Sequence, residues 1–396
     1  MTAITPPWQR NPASPDAPLI PRKDWDTPPW HRWTFQHVRE MTASENIRRS
    51  NAVTPLPQRK RDISAVEFKC GEERYSIEQW LEASCTDGFL LLFDGHVVDE
   101  RYFNGMQPHQ PHLAMSVSKS ITSAVFGILV GRSLIDPQAQ VTDYLPELAA
   151  TAWKGALVQH VLDMTSGVFF DETYSTDCAH MQKLGQACGW FEVIDPSWPM
   201  TVWQLILQLT EQQCAHGSRF CYRSIETDVL AFIMQRVTGK TLAQLIESEL
   251  WQPMGAEEDA YITVDRSGYG LADGGFNATL RDFARFAQLL LQGGKAQGKQ
   301  VVPKAWIDEI QRANRNMFTG RDELPRGAYH NQFWIEEVGS PVFMCFGIFG
   351  QYLYIDPAHD FALVQLSTAP EPTSSQRTAK MLAAAHALRD FCLKQV

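Results

Sequence analysis

The chain runs to 396 residues, carries a formal net charge of −10, and is 44% hydrophobic by residue count. That length and apolar share suit two or three packed units and exclude wholesale disorder. The acidic balance argues against a nucleic-acid binder, which needs a basic footprint, and disfavours docking on anionic lipid.

Residues 1–60 read as a proline-rich arm. Its opening, "MTAITPPWQRNPASPDAPLIPRK", lacks the basic-then-apolar form of a signal peptide. Within it "PPWHRWTFQHVREM" predicts an ordered aromatic stretch with a short helix, packed on the body. "GFLLLFDGHVVDERYF" (88–103) alternates around Asp94-Gly95, and two β-rich runs joined by Asp-Gly predict a hairpin. Behind it Ile121, Ala124, Val125, Ile128 and Leu129 recur at helical spacing, giving one buried face that Gly131 ends. From about 135 to 260 the pattern is mostly helical. "TDVLAFIMQRVTGKTLAQLIESELWQPMG" predicts two amphipathic helices, broken at Thr238-Gly239 and stopped by Pro253. Thr279 is placed to cap a helix over 279–294. "QYLYIDPAHDFALVQLS" (351–367) predicts a hairpin, and "SSQRTAKMLAAAHALRDFCLK" a closing helix. Strands at both ends with helices between them imply one sheet completed by distant parts of the chain. The expected division is the arm 1–60, a sheet domain from 61–115 and 270–396, and a helical domain 116–269, with a cleft between the last two.

The eight cysteines show neither CxxC nor Cys/His metal spacing, so the expectation is reduced thiols. The eleven histidines form no H-x-x-x-H or HExxH pattern, and no metal or other cofactor is expected. "AVFGILV", the apolar run beside the first long helix, is far too short to span a bilayer. These features place the protein in the cytoplasm, with no nucleic-acid or membrane partner.

One stretch carries chemistry. In "HLAMSVSKSITSAVFGILVG" Ser116 and Lys119 stand three residues apart at the mouth of the apolar helix. Positions i and i+3 share a helical face. A serine hydroxyl is a poor nucleophile until a base takes its proton. A lysine can be that base if desolvation and nearby positive charge lower its pKa from about 10.4 towards 7–8. The helix N-terminus adds N–H groups and positive potential suited to an oxyanion. This is the only S-x-x-K in the chain. No G-x-S-x-G elbow is present, which disfavours a Ser-His-Asp hydrolase.

These residues, with "IDPQAQVTDYLPELA", "VLDMTSGV", "FCYRSIETDVLAFIMQRVTG", "GYGLADGGFNATLRDFARF" and "FGIFGQYLYIDP" in that order, resemble the serine β-lactamase and penicillin-binding superfamily. The resemblance is to its class C-like, family VIII carboxylesterase branch and, within that, to the 6-aminohexanoate-dimer (nylon-oligomer) hydrolases. It implies an α+β fold of the β-lactamase/DD-peptidase type: an antiparallel sheet flanked by helices, plus an inserted mostly helical domain. It implies Ser116 as the acylated nucleophile, Lys119 as its base and Tyr222 of "FCYRS" as proton relay. The backbone N–H groups of Ser116 and Ile348 would form the oxyanion hole. The Y-x-N triplets at Tyr102 and Tyr329 fall in the wrong chain order and read as strand or loop aromatics.

The departures shape the expected substrate. Tyr222-Arg223-Ser224 lacks the family's asparagine, and "GIFG" (347–350) stands where β-lactamases carry K-T-G. "TGKT" (238–241) is a helix break, not a substitute. Strong β-lactamase activity is therefore not expected. Members of the nylon-oligomer group that act well on amides present a tyrosine where this reading sets Phe170, and an aspartate where it sets Gly185. Trp190 is retained, with Phe169 and Phe349 as further aromatic wall. Arg223 either meets a substrate carboxylate or faces solvent. The leading expectation is an esterase acting on a small-molecule ester, with linear amides such as 6-aminohexanoate oligomers second. The alternatives are a catalytically silent penicillin-recognition-type binding module or a weak β-lactamase. Oligomeric state is left open, a homodimer included.

Overall fold

The computed structural model describes residues 20–175, 177–313, 318 and 324–394. Most of the proline-rich opening of the arm lies outside them. At the centre is a seven-stranded antiparallel sheet of β1 (Thr86–Phe93), β2 (His96–Tyr102), β3 (Ala328–His330), β4 (Phe333–Ile335), β5 (Phe343–Gly347), β6 (Gln351–Asp356) and β7 (Phe361–Ser367). Their order across the sheet is β3-β4-β5-β6-β7-β1-β2. The early hairpin thus closes onto the last strand, with Phe361 opposite Phe93 and Val364 opposite Leu90. Asp94 (φ 52°) and Gly95 (φ 68°) both take the positive φ that the tight hairpin turn requires.

The two-residue alternation sorts the strands between two cores. Leu90, Leu92, Val364 and Leu366 join one with Phe283 and Ala287. Phe89, Leu91, Phe93 and Leu363 join the other with Met381, Ala385 and Leu388. The helices on those faces belong to a set of four long ones: α1 (Val117–Gly131), α2 (Ile225–Thr238), α3 (Leu280–Leu291) and α4 (Ser375–Leu393). Thr279 caps α3 by accepting from the Asp282 N–H, as expected.

Two helical expectations need correction. Every residue of α1 from Val117 to Leu129 is buried, not one face only. Its hydroxyls make this tolerable by finding partners: Ser120 donates to the Gln332 carbonyl, Ser123 to that of Asn331, and Ser118 accepts from the Phe276 N–H. Nor does Pro253 stop the helix after Gly239. Helical structure resumes at Leu242 and runs through Pro253 to Met254, ending at Gly255 (φ 82°). A π turn over Ile246–Trp251 precedes the proline. The wider turn relieves the clash that a proline ring makes with the carbonyl four residues back.

The arm is built into the body. Ser44–Ile47 is the edge strand of a four-stranded sheet, followed by Ala260–Thr263, Phe276–Ala278 and His112–Leu113. The short helix His31–Thr34 follows Trp25, which is fully buried. Arg32 reaches Asp87, Thr368 and the Cys85 carbonyl. All eight cysteines lie among the described residues and none is bridged. No helix among the described residues is long and apolar enough to cross a membrane.

Candidate active site

Ser116 stands at a sharp junction between the edge strand His112–Leu113 and α1. Met115 just before it has φ 47°, a backbone conformation rare outside glycine. β5 ends close by at Gly347, where a Cβ would lie 2.6 Å from the Ala114 carbonyl oxygen, so only glycine lets the strand approach. This brings Ile348 beside the Ser116 segment, and Ser116 and Ile348 line the same two cavities.

Lys119 Nζ donates to Ser116 Oγ at 2.7 Å and to the Asp273 carbonyl at 2.6 Å. Its side chain is buried. Tyr222 lies beside the pair, with Lys119 Nζ 5.3 Å from its ring centroid, and its hydroxyl is close enough to both Ser116 and Lys119 to be coupled to them electrostatically. Its ring stacks on Trp334 with centroids 5.5 Å apart. The three expected chemical groups therefore converge.

Their protonation departs from expectation. Burial works against the Lys119 ammonium, but Tyr222, Asp273 and Glu172 outweigh it, and the pKa of Lys119 moves up. The expectation of a lowered value counted desolvation and missed this negative surround. Burial also raises Tyr222. The resting pair holds its protons. Burial pushes Asp273 up to about 6 against the pull of Lys119.

Two cavities meet at Ser116, and Tyr174, Ile348 and Pro372 are common to both. One, of about 470 Å³, extends past Tyr222 and Trp334 to Ser374 and Arg377. The other, of about 520 Å³, is mostly apolar and includes Met115, Met181, Leu184, Trp190, Phe191 and Phe349.

Two expected pocket residues, Phe170 and Arg223, are placed otherwise, and a third, Gly185, is in place but closed to a side chain. Phe170 is outside both linings, stacked on His180 with centroids 5.1 Å apart, and Phe169 lies edge-on to the same ring. Arg223 neither meets substrate nor faces solvent. It is fully buried, paired with Glu226 at 2.7 Å and donating to the carbonyls of Val168 and Met164. Gly185 does line the apolar cavity, but the Phe191 ring occupies the space a side chain there would fill, 2.2 Å from a built Cβ. Trp190 and Phe349 are where expected.

The sequence reading missed Tyr174. The phenol assigned as absent at 170 is supplied four residues on, at the junction of the two cavities. Its hydroxyl donates to Glu172 at 2.6 Å. Glu172 also accepts from the N–H and hydroxyl of Ser224 at the start of α2. The available signal was the phenol in "FFDETY", which a fixed alignment position overlooked. The Y-x-N tyrosines are indeed strand aromatics: Tyr102 bonds Glu100, and Tyr329 packs edge-on to Tyr222.

A family model described as Beta-lactamase matches residues 88–388. The chain belongs to the beta-lactamase family. It is 35% identical over 353 residues to the 6-aminohexanoate-dimer hydrolase of Paenarthrobacter ureafaciens, covering 88% of each chain. An inferred 6-aminohexanoate-dimer hydrolase of Bacillus anthracis superposes with a TM-score of 0.85 at 28% identity, over 95% of this chain and 99% of that one. A family VIII carboxylesterase shares the fold at 18% identity and a TM-score of 0.56, over 76% of this chain and 92% of that one. As a beta-lactamase family member related to these proteins, the chain is a serine hydrolase.

Proposed function

We propose that the protein cleaves carboxylic esters and small linear amides, 6-aminohexanoate oligomers among them, through an acyl-enzyme on Ser116. The observation that carries this is the contact of Ser116 Oγ with Lys119 Nζ, beside Tyr222 in the same cavity wall, where two cavities meet. In molecules where Lys119 has lost its proton to solvent, the serine proton passes to the free amine of the Lys119–Tyr222 pair as Oγ attacks the carbonyl carbon. The backbone N–H groups of Ser116 and Ile348 receive the oxyanion. Tyr222 faces only the polar cavity, so the leaving group lies there and takes its proton from Tyr222, while the acyl chain occupies the apolar cavity. Water then releases the acid. Tyr174, between the two, donates to Glu172 at rest and would turn that one proton to a leaving amide nitrogen when substrate is bound.

The test is intact-mass measurement after a fluorophosphonate label, beside turnover of p-nitrophenyl esters, nitrocefin and 6-aminohexanoate dimer. One adduct on wild type, none on Ser116→Ala, and ester turnover well above nitrocefin turnover are expected. Labelling that survives Ser116→Ala would overturn the assignment.

A further inference from the structure

The apolar cavity carries a carboxylate that the reaction does not use. Asp26, on the arm, lines it together with Gly185, Trp190 and Phe191. Asp26 Oδ1 is buried and has no hydrogen-bond partner among the described residues. Its position is fixed by its neighbour. Trp25 is fully buried, donates its indole N–H to the Trp190 carbonyl at 3.0 Å, and packs edge-to-face on that ring with centroids 5.1 Å apart. Among the described residues the Asp26 backbone N–H is the one group that favours the charged carboxylate, and a carboxylate oxygen left at an apolar wall without a partner is costly unless something charged or donating meets it. The aromatic rings of Trp190 and Phe191 in the same lining suit the same kind of guest, a cation.

We propose that Asp26 is the recognition group for a cationic end on the acyl chain of the substrate, replacing the carboxylate that position 185 lacks. This rests on the reading above, in which the acyl chain fills the apolar cavity. The substrates favoured are linear ω-ammonium acyl esters and amides. The arm thereby becomes part of the substrate site.

Protonation gives the proposal a signature. Burial, with help from Asp24, pushes Asp26 up to about 7. Below that pH the free enzyme carries a neutral Asp26 and gains little from a cation; above it the charge is present. The other ionisable groups lining the cavity are Lys23 and Asp24 on the same segment and Tyr174, Cys188 and Asp273 from other parts of the chain. Burial raises Tyr174 and Cys188 well above their usual values, so neither titrates near neutrality. Asp273, raised to about 6, sits by the Lys119 end.

The experiment compares kcat/KM for p-nitrophenyl esters of ω-(trimethylammonio)alkanoates with their neutral tert-butyl isosteres, over a series of chain lengths. The quaternary cation does not titrate, and effects on acylation chemistry divide out of the ratio. In the wild type the cation-to-neutral ratio should climb from near one at about pH 5.5 to roughly tenfold or more above pH 8, for one best chain length. Asp26→Asn should hold the ratio near one across that range. A wild-type ratio near one at every pH and length overturns the proposal, and needs no variant to fold. So does a pH-dependent ratio that persists in Asp26→Asn. Failure of the hydrolase reading looks different: neither ester is turned over, or both are turned over by Ser116→Ala.

Discussion

Ser116 is the residue whose loss separates chemistry from folding. It occupies the N-cap of α1 without a side-chain cap bond, so Ser116→Ala removes no cap. Acylation should disappear while stability falls by only about 1–3 kcal/mol, because buried Lys119 loses one acceptor and keeps the Asp273 carbonyl, checked by burst kinetics and thermal melting. Lys119→Ala and Tyr222→Phe should each cost orders of magnitude in kcat/KM, but non-additively, because they relay one proton. A double variant whose loss equals the product of the single losses would count against a shared relay. Because the Lys119 pKa is raised, its free amine grows only as pH rises, and kcat/KM for neutral esters should climb toward alkaline pH. Tyr174→Phe should slow amide hydrolysis more than p-nitrophenyl ester hydrolysis, since p-nitrophenolate leaves without a proton. Phe170→Tyr should change neither, because Phe170 faces His180 and not the cleft. The contact of Ser116 with Lys119 was legible because helical spacing fixes their relation. The loop residues were not, because no periodicity fixes where residues 169–175 turn a side chain.

Elements declare themselves in the sequence where the backbone must do something unusual. Asp94-Gly95, Thr279 and Gly239 are of that kind, and each sits where turn and cap chemistry put it. What stayed hidden was the environment of an element. The apolar spacing of α1 shows one face, yet its other faces are buried by partners that arrive from residues 272–276 and 331–332. Gly127 makes the point testable. It lies mid-helix, where alanine ordinarily gains up to about 1 kcal/mol. Here an added Cβ would fall 2.3 Å from the Trp306 ring, itself buried against Phe126. Overpacking of that kind costs about 1–3 kcal/mol. Gly127→Ala should therefore lower the melting temperature, and a variant that melts higher would show that Trp306 can retreat.

At the scale of the whole molecule, the arm joins parts of the fold that are remote in sequence. It adds an edge strand to the small sheet, reaches the central sheet through Arg32, and touches the site through Trp25 and His31. His31 bonds the Ala369 carbonyl and packs edge-on to Phe349, on the wall of the apolar cavity. Composition pointed to an arm packed on the body, but contacts spanning 165 and 338 residues leave no local pattern to read. If the arm is structural and also carries a substrate contact, one residue should couple the two. Trp25→Ala removes a fully buried indole, a change that usually costs about 3–5 kcal/mol, and should lower the melting temperature by several degrees. The milder Trp25→Phe keeps a ring but loses the bond to Trp190, at about 1 kcal/mol. Both should also reduce the cation-to-neutral ester ratio above pH 8, because Asp26 is held through Trp25. A melting temperature unchanged in Trp25→Ala would show that the arm is dispensable to the fold. A lower melting temperature with an unchanged ratio would show that Asp26 keeps its place without that anchor.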